Sequence, residues 1–237
     1  MHIKLSIIVP CYNEAPNLPH ISQLFGEVFQ DKPGVEIILV NNGSTDNSAA
    51  VFEAVFAGNT LFKVVTVLKN EGYGNGILYG LNAARGSVLA WTHADLQTHP
   101  GDVWKAYTIF ENLKDDTVFV KGRRAKRGLT YDFFSKGMQI VASVALQTKL
   151  VDIGAQPKLF SKAFFDRYLK NKAPFDFSLD LYALFWAKRT GKIVEFPVVM
   201  TQRLFGEAKG GGSWKTRIKV SIRTFKFILA MRKSLIN

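Results

Sequence analysis

Short apolar runs break off repeatedly into polar clusters along the first hundred residues. "LSIIVP" (5–10) stops at Pro10, "VEIILV" (35–40) runs into "NNGSTDNS", and "FKVVTVL" (62–68) and "SVLAWT" (87–92) repeat the form. Short β-branched runs bounded by turn residues read as buried strands. Between them lie helical patterns: one reaching about Phe29, one starting near the N-cap candidates Ser44 and Asp46, and one over 72–84. Strands alternating with helices predict an α/β fold with a mostly parallel central sheet covered on both faces. In such sheets ligands bind outside the carboxyl ends of the strands. The polar clusters at 11–14, 41–46 and 93–97 each follow a strand, so they are expected to converge.

The second half is less regular. It predicts a helix over about 133–149, then a turn, a short strand and a helix in "DIGAQPKLFSKAFF" (152–165). A further helix over 179–190, a strand "KIVEFPVV" (192–199), a glycine hinge "GEAKGGGSW" (206–214) and a helix over 214–236 complete the chain. The expected organisation is one domain over 1–209, followed by a hinge and a basic amphipathic helix over 210–237. At about 100° per residue, Trp214, Ile218, Ile222, Phe225, Leu229 and Ile236 form one apolar stripe of that helix. Lys215, Lys219, Arg223, Lys226 and Lys233 gather beside it. This pattern suits an anionic membrane surface, while Val220, Phe227 and Met231 form a second apolar edge suited to protein.

Charge sharpens this picture. The chain of 237 residues carries a net charge of +12, and 47 % hydrophobic residues exclude general disorder. Six cations and one acid lie between Lys121 and Lys136, nine cations and one acid from Arg203 onward, and the remainder is near neutral. Such a field points to an anionic partner: nucleotide phosphate, nucleic acid or acidic lipid. Nucleic acid does not explain three polar clusters at strand ends, so no nucleic-acid partner is expected. Cys11 is the one cysteine, which excludes an internal disulfide and a cysteine zinc site and favours a reducing cytoplasm. Apolar runs such as "IVASVAL" (140–146) are too short to span a bilayer. The expected location is cytoplasmic, peripheral on the inner membrane face.

The strand-end clusters favour a nucleotide diphosphate. His93, Asp95 and Gln97 alternate, so an extended backbone would aim all three one way. A carboxylate with nitrogen and oxygen neighbours suits Mn²⁺ or Mg²⁺ bridging phosphate oxygens. "GYGNG" (72–76) lacks the Lys-Ser/Thr of a phosphate loop, and no G-x-G-x-x-G follows the first strand, which disfavours nucleoside-triphosphatase and dinucleotide chemistry. Gly72, Gly74 and Gly76 read as turn glycines that allow close backbone approach.

Six segments then match one family in order. They are "IIVPCYNEAPNL", "VNNGSTDNS", "HADLQTHP", "VKGRR", "DIGAQPKLFSK" and "EFPVVMTQRLFGEAK". Over roughly residues 5–209 the chain resembles the inverting family-two glycosyltransferases of the GT-A fold, on the branch of dolichol- and polyprenol-phosphate sugar synthases. The resemblance implies transfer of a sugar from a nucleotide-diphosphate sugar, of UDP or GDP type, to a lipid-phosphate or lipid-linked glycan acceptor. It implies that Pro10, Tyr12, Asn13, Glu14, Asn42, Gly43, Asp46, His93 and Ala94 line the nucleotide site. Asn42 stands where the family usually has a base-contacting acid. Asp95, with Gln97 and His93, would ligate the metal, and Arg123, Arg203 and Lys209 would clamp the leaving diphosphate. His93 replaces the first acid of the family's metal motif, which removes a negative charge and favours Mn²⁺ over Mg²⁺. An imidazole there can ligate a metal or bond a phosphate oxygen. Asp180 in "FSLDLYAL" is the general base by family position for a hydroxyl acceptor, or equally a helix-start residue favoured by the dipole; a lipid phosphate needs no base. Asp152 would position acceptor or sugar. A polysaccharide hydroxyl as acceptor, and a degenerate sugar-nucleotide-binding protein, are the alternatives.

Overall fold

The computed structural model describes residues 2–124, 129–206 and 214–236, with the side chains of 129–136, Lys215 and Ile236 outside that description. Among the described residues seven strands form one sheet: β1 (Leu5–Cys11), β2 (Val35–Asn42), β3 (Phe62–Val67), β4 (Val88–Trp91), β5 (Val118–Arg124), β6 (Lys158–Ser161) and β7 (Lys192–Val198). Their spatial order is β3-β2-β1-β4-β6-β5-β7, and only β6 runs antiparallel to its neighbours. The expected mostly parallel sheet is therefore present. β1 and β2 are buried along nearly their whole length because helices cover both faces. Edge strand β3 instead exposes Lys63, Val64 and Thr66, a charged residue blunting the edge.

Helices α1 (Leu18–Phe29), α2 (Ser48–Phe56) and α4 (Gly101–Leu113) pack on one face. On the other lie α3 (Tyr73–Asn82), α5 (Leu129–Ala145), α6 (Lys162–Phe164) running into a wide turn, α7 (Ser178–Thr190) and α8 (Trp214–Ile236). Alternation along β1 supplies both cores. Ile7 and Val9 meet Phe25 and Phe29, whereas Ile8 meets Ile77, Leu81 and Trp91. Each such large side chain contributes about 1.5–3 kcal/mol by leaving water.

Several expectations need correction. The helix after β2 begins at Ser48 rather than at Ser44 or Asp46, and neither residue caps it; the cap position is Asn47 without a side-chain bond. The helix expected over 133–149 lies earlier, at Leu129–Ala145. α4 and β5 occupy a stretch to which the pattern assigned no elements. The second apolar edge of the terminal helix does face protein: Met231 and its neighbour Ile228 belong to the second core, and Phe227 packs against it. Of the proposed hinge, 207–213 lie outside the described residues. Among the described residues no helix is long and apolar enough to cross a membrane.

The amino ends of the strands carry a buried acid with a structural task. Glu36 Oε1 accepts from Ser6 Oγ (2.6 Å) and from the Arg85 backbone N–H (2.8 Å), and the Arg85 guanidinium closes on Oε2 at 2.8 and 2.9 Å. Burial alone would raise the Glu36 pKa, but these bonds from Ser6 and Arg85 hold it below the usual glutamate value. A folded pKa below the unfolded one stabilises above the unfolded value and loses that contribution as pH falls through the folded one. Glu36→Gln is thus expected to cost about 1.5–3 kcal/mol at neutral pH, nearer the lower figure because Arg85 is largely exposed. The deficit should vanish on acidification, which urea titrations across acid pH would measure. An unchanged pH profile would contradict this reading.

Candidate active site

Neighbouring strands β1 and β4 run parallel, but from β1 the chain passes through α1 to β2 on one side and from β4 through α4 to β5 on the other, so the direction of connection reverses between them. A crevice opens at the carboxyl ends at such a switch point. The clusters after β1, β2 and β4 converge there, as expected. Asn13, at φ +54°, ties the first two loops together. Its Oδ1 accepts from the Thr45 N–H (2.8 Å) and its own N–H donates to Ser44 Oγ (3.1 Å). Ser48 Oγ accepts from the Glu14 N–H at 3.2 Å. Asp46 receives the Ser48 N–H at 2.9 Å and the Ala15 N–H at 3.4 Å. Partial burial pushes the Asp46 pKa up, but these bonds bring it below the usual value. Gly43 is required: at φ +67°, a Cβ there would sit 2.4 Å from the Asn70 nitrogen. Pro10 and Tyr12 border this loop pair and are partly exposed, whereas Ala94 is buried.

Asn42 departs from expectation. It is buried; its Nδ2 donates to the Gly72 carbonyl at 3.0 Å, and the glycine face of Gly76 packs on its amide. Its Oδ1 is buried without a hydrogen-bond partner. In this conformation Asn42 supports the glycine turn and presents no amide to a base. Gly72 makes that turn possible at φ +133°, where a Cβ would strike the Phe175 carbonyl at 2.4 Å.

Arg203 is central. Its Nη2 donates to Asp95 Oδ2 at 2.7 Å, and Nη1 lies 3.9 Å from Glu14 Oε1. One guanidinium from the segment after β7 therefore links the ends of β1 and β4. Asp95 Oδ1 also accepts from the Gln97 N–H at 3.1 Å. His93 Nδ1 stands 3.9 Å from Asp95 Oδ2, and His93 Nε2 shares a 3.2 Å hydrogen bond with the Tyr73 hydroxyl. Burial, with the nearby charges of Asp180 and Asp95, pushes the Tyr73 pKa well up, so its proton stays on.

The extended backbone expected from His93 to Gln97 is corrected by a turn, with Leu96 at φ +56°. Gln97 consequently faces elsewhere. Its Nε2 donates to the Thr201 carbonyl (3.3 Å), while the Thr201 N–H donates to the Gln97 carbonyl (2.9 Å). This double contact ties the post-β7 segment carrying Arg203 to the Asp95 turn.

Asp180, in the first turn of α7, is not a free carboxylate. Lys158 Nζ donates to its Oδ1 at 2.6 Å and Gln156 Nε2 at 3.3 Å. Gln156 Nε2 also reaches the Tyr73 hydroxyl at 3.3 Å. Burial lowers the Lys158 pKa, and Asp180 opposes that drift. Asp152 is likewise engaged, by a two-nitrogen clamp from Arg124. Arg123 is exposed at the end of β5, and Lys209 lies outside the described residues. Glu14, Asp95, Asp152 and Asp180 thus each face a cation. The pattern missed Tyr73, Arg124, Gln156, Lys158 and Thr201. Tyr73 and Gln156 stand inside stretches read only for their glycines and motif. Lys158, buried, and Arg124, half-buried, have no periodic signal.

Among the described residues no cluster of three or more histidine, cysteine, aspartate or glutamate side chains could hold a metal. Asp95 and His93 can together offer two donors, separated by less than the roughly 4.2 Å that a hard cation with bonds of about 2.1 Å spans. The pair would hold a cation only with further ligands supplied from outside the protein, and such a cation would compete with Arg203 for Asp95.

The family described as glycosyl transferase family 2 matches residues 6–172. An undecaprenyl-phosphate 4-deoxy-4-formamido-L-arabinose transferase from Proteus mirabilis is 27 % identical over 209 residues, covering 87 % of this chain and 62 % of that one. Its counterpart from Yersinia enterocolitica is 28 % identical over 210 residues with the same coverage. The chain therefore spans under two thirds of these relatives. A glucosyl-3-phosphoglycerate synthase of Mycobacterium tuberculosis, in complex with Mn²⁺, uridine diphosphate and glucosyl-3-phosphoglycerate, superposes with a TM-score of 0.72 at 16 % identity, covering 97 % of this chain and 80 % of that one. The mannosyltransferase PcManGT of Pyrobaculum calidifontis, in complex with GDP-Man and Mn²⁺, gives 0.65 at 20 % identity, covering 98 % and 65 %. At such identities the two structures establish a shared fold.

Proposed function

The chain belongs to glycosyl transferase family 2, and from that premise we propose that it moves a sugar from a nucleotide-diphosphate sugar onto a polyprenyl phosphate, with inversion at the anomeric carbon. The donor's base and ribose lie against the Pro10–Glu14 and Gly43–Asp46 loops, and its diphosphate lies at the Asp95 turn. Arg203, preset by Glu14 and Asp95, meets the negative charge that grows on the diphosphate as the C1–oxygen bond breaks. Arg123 and Lys209 add further positive charge. Asp95 and His93 would hold a divalent cation, Mn²⁺ or Mg²⁺, whose contribution when bound is to neutralise the diphosphate. The complexes of structural neighbours with Mn²⁺ support that reading.

The observation that carries the acceptor assignment is the buried Lys158–Asp180 pair. A hydroxyl acceptor must lose a proton, and a carboxylate held by an ammonium is a poor base for it. A phosphate oxygen is already anionic. It attacks C1 opposite the leaving diphosphate, one C1–oxygen bond forms as the other breaks, and no proton moves. The undecaprenyl-phosphate transferases among the relatives support the same acceptor class. In this reading soluble donor and lipid acceptor meet at the cytoplasmic face of a membrane.

Thermal unfolding with UDP, GDP, CDP or dTDP, each with Mn²⁺, Mg²⁺ or chelator, tests the donor half. One nucleotide at a hundredfold excess over its Kd should stabilise by about 2.7 kcal/mol, with chelator reducing the shift. Absence of a shift with all four would contradict the proposal.

A further inference from the structure

Helix α8 divides its surface three ways. Ile228 and Met231 are buried in the second core, with Phe227 packed edge-on against Tyr182. Trp214, Ile218, Ile222, Phe225 and Leu229 form a stripe that is 44–66 % exposed. Lys219 and Lys226 stand exposed next to that stripe on the helix surface. α5, which packs against α8, leaves Ile140 and Val144 exposed as well. Water-facing apolar surface of this extent marks an interaction site, and the adjoining cations select its partner.

The helix is also tied to the mouth of the active site. Arg223 Nε lies 3.7 Å from Asp176 Oδ2. Asp176 sits between Phe175 and Phe177, both exposed, and Phe177 stacks on Tyr73 with ring centroids 5.0 Å apart. Tyr73 in turn bonds His93. An apolar rim thus connects α8 with the catalytic crevice.

We propose that α8 docks on an anionic phospholipid bilayer, its aromatic and aliphatic stripe sunk at the headgroup level and Lys219 and Lys226 on the lipid phosphates. Docking sets the Phe175–Phe177 rim towards the bilayer, so that a lipid-borne phosphate enters the crevice over those rings. The last step alone rests on the polyprenyl-phosphate reading. Charge complementarity decides against a second copy of this chain, because pairing two α8 faces would bring their lysines together. The cost of detaching one lysine from an anionic surface corresponds to about a fivefold loss of binding.

Vesicle co-sedimentation of the full chain tests this, using phosphatidylcholine alone and phosphatidylcholine mixed equally with phosphatidylglycerol. Binding is expected to the mixed vesicles only, and to weaken with salt. Lys219→Ala with Lys226→Ala should reduce it about 25-fold, and Ile218→Glu with Ile222→Glu should abolish it. Both double variants should keep the wild-type thermal shift with nucleotide, which shows that they fold. Equal binding to neutral vesicles, no binding to either, or a concentration-dependent dimer broken by the Ile218 and Ile222 changes would overturn the proposal. Nucleotide binding without vesicle binding defeats docking and leaves the donor assignment standing; vesicle binding without nucleotide binding does the reverse.

Discussion

Replacing Asp180 by alanine is expected to lower folding stability by about 3–5 kcal/mol, because it strands a buried charge on Lys158. That ammonium is fully buried, and its charge partner is the carboxylate 2.6 Å away, with the Ala155 carbonyl at 3.0 Å. The deficit should depend on pH in a definite direction. Burial lowers the Lys158 pKa from its ordinary 10.5, and loss of Asp180 removes the main force opposing that. Between the lowered value and the ordinary one, the unfolded chain binds more protons than the folded chain, so the variant regains stability as pH rises. A plain cavity would show no such recovery. Urea unfolding at a series of pH values separates the two. Lys158→Met combined with Asp180→Asn should restore most of the loss, since a buried pair replaced on both sides is often near neutral. The double variant also decides the chemistry. It should transfer sugar within about tenfold of wild type, whereas a true general base supplies about 10²–10⁴-fold. A folded but inactive double variant would return Asp180 to the role of base.

Arg203→Ala is expected to cut turnover by about 10²–10³-fold, the usual loss when one preorganised charge-stabilising donor is removed. The guanidinium is positioned by two acids from the loops after different strands, Glu14 and Asp95. Lysine lacks the fork that reaches both, so Arg203→Lys should recover little. Asp95→Ala should do comparable damage through a different route, by releasing Arg203 and removing the carboxylate donor to the cation. The two are distinguishable. Arg203→Ala should retain a Mn²⁺-dependent thermal shift with nucleotide diphosphate, and Asp95→Ala should lose it. Near-normal turnover in Arg203→Ala would remove the residue from the mechanism.

The sheet was legible because its strands are covered on both faces, which turns the sequence into unbroken apolar runs such as Ile7–Val9 and Ile37–Val40. α4 carries a signal too, Val103, Ala106, Tyr107 and Phe110 at helical spacing. The crevice was legible at Glu14, Asp95 and Arg203, since strand-end position and charge are both linear properties. Gln97 was misjudged because alternation holds only in extended chain, and Leu96 turns there at φ +56°. The burial of Asn42 under Gly72 and Gly76 is not legible in the sequence, because it comes from a loop 30 residues away. The Lys158–Asp180 pair, joined across 22 residues, leaves no trace in periodicity. The proposed choice of an acceptor that arrives already ionised rests on this pair.

The most direct test is transfer by the purified chain from radiolabelled nucleotide sugars, in mixed phosphatidylglycerol vesicles containing either a polyprenyl phosphate or the matching dephosphorylated prenol. The account predicts label in a sugar–phosphate–lipid product with the phosphate acceptor and none with the prenol, and loss of that product in Arg203→Ala. Label on the prenol hydroxyl, or on a glycan hydroxyl in preference to the lipid phosphate, would contradict it.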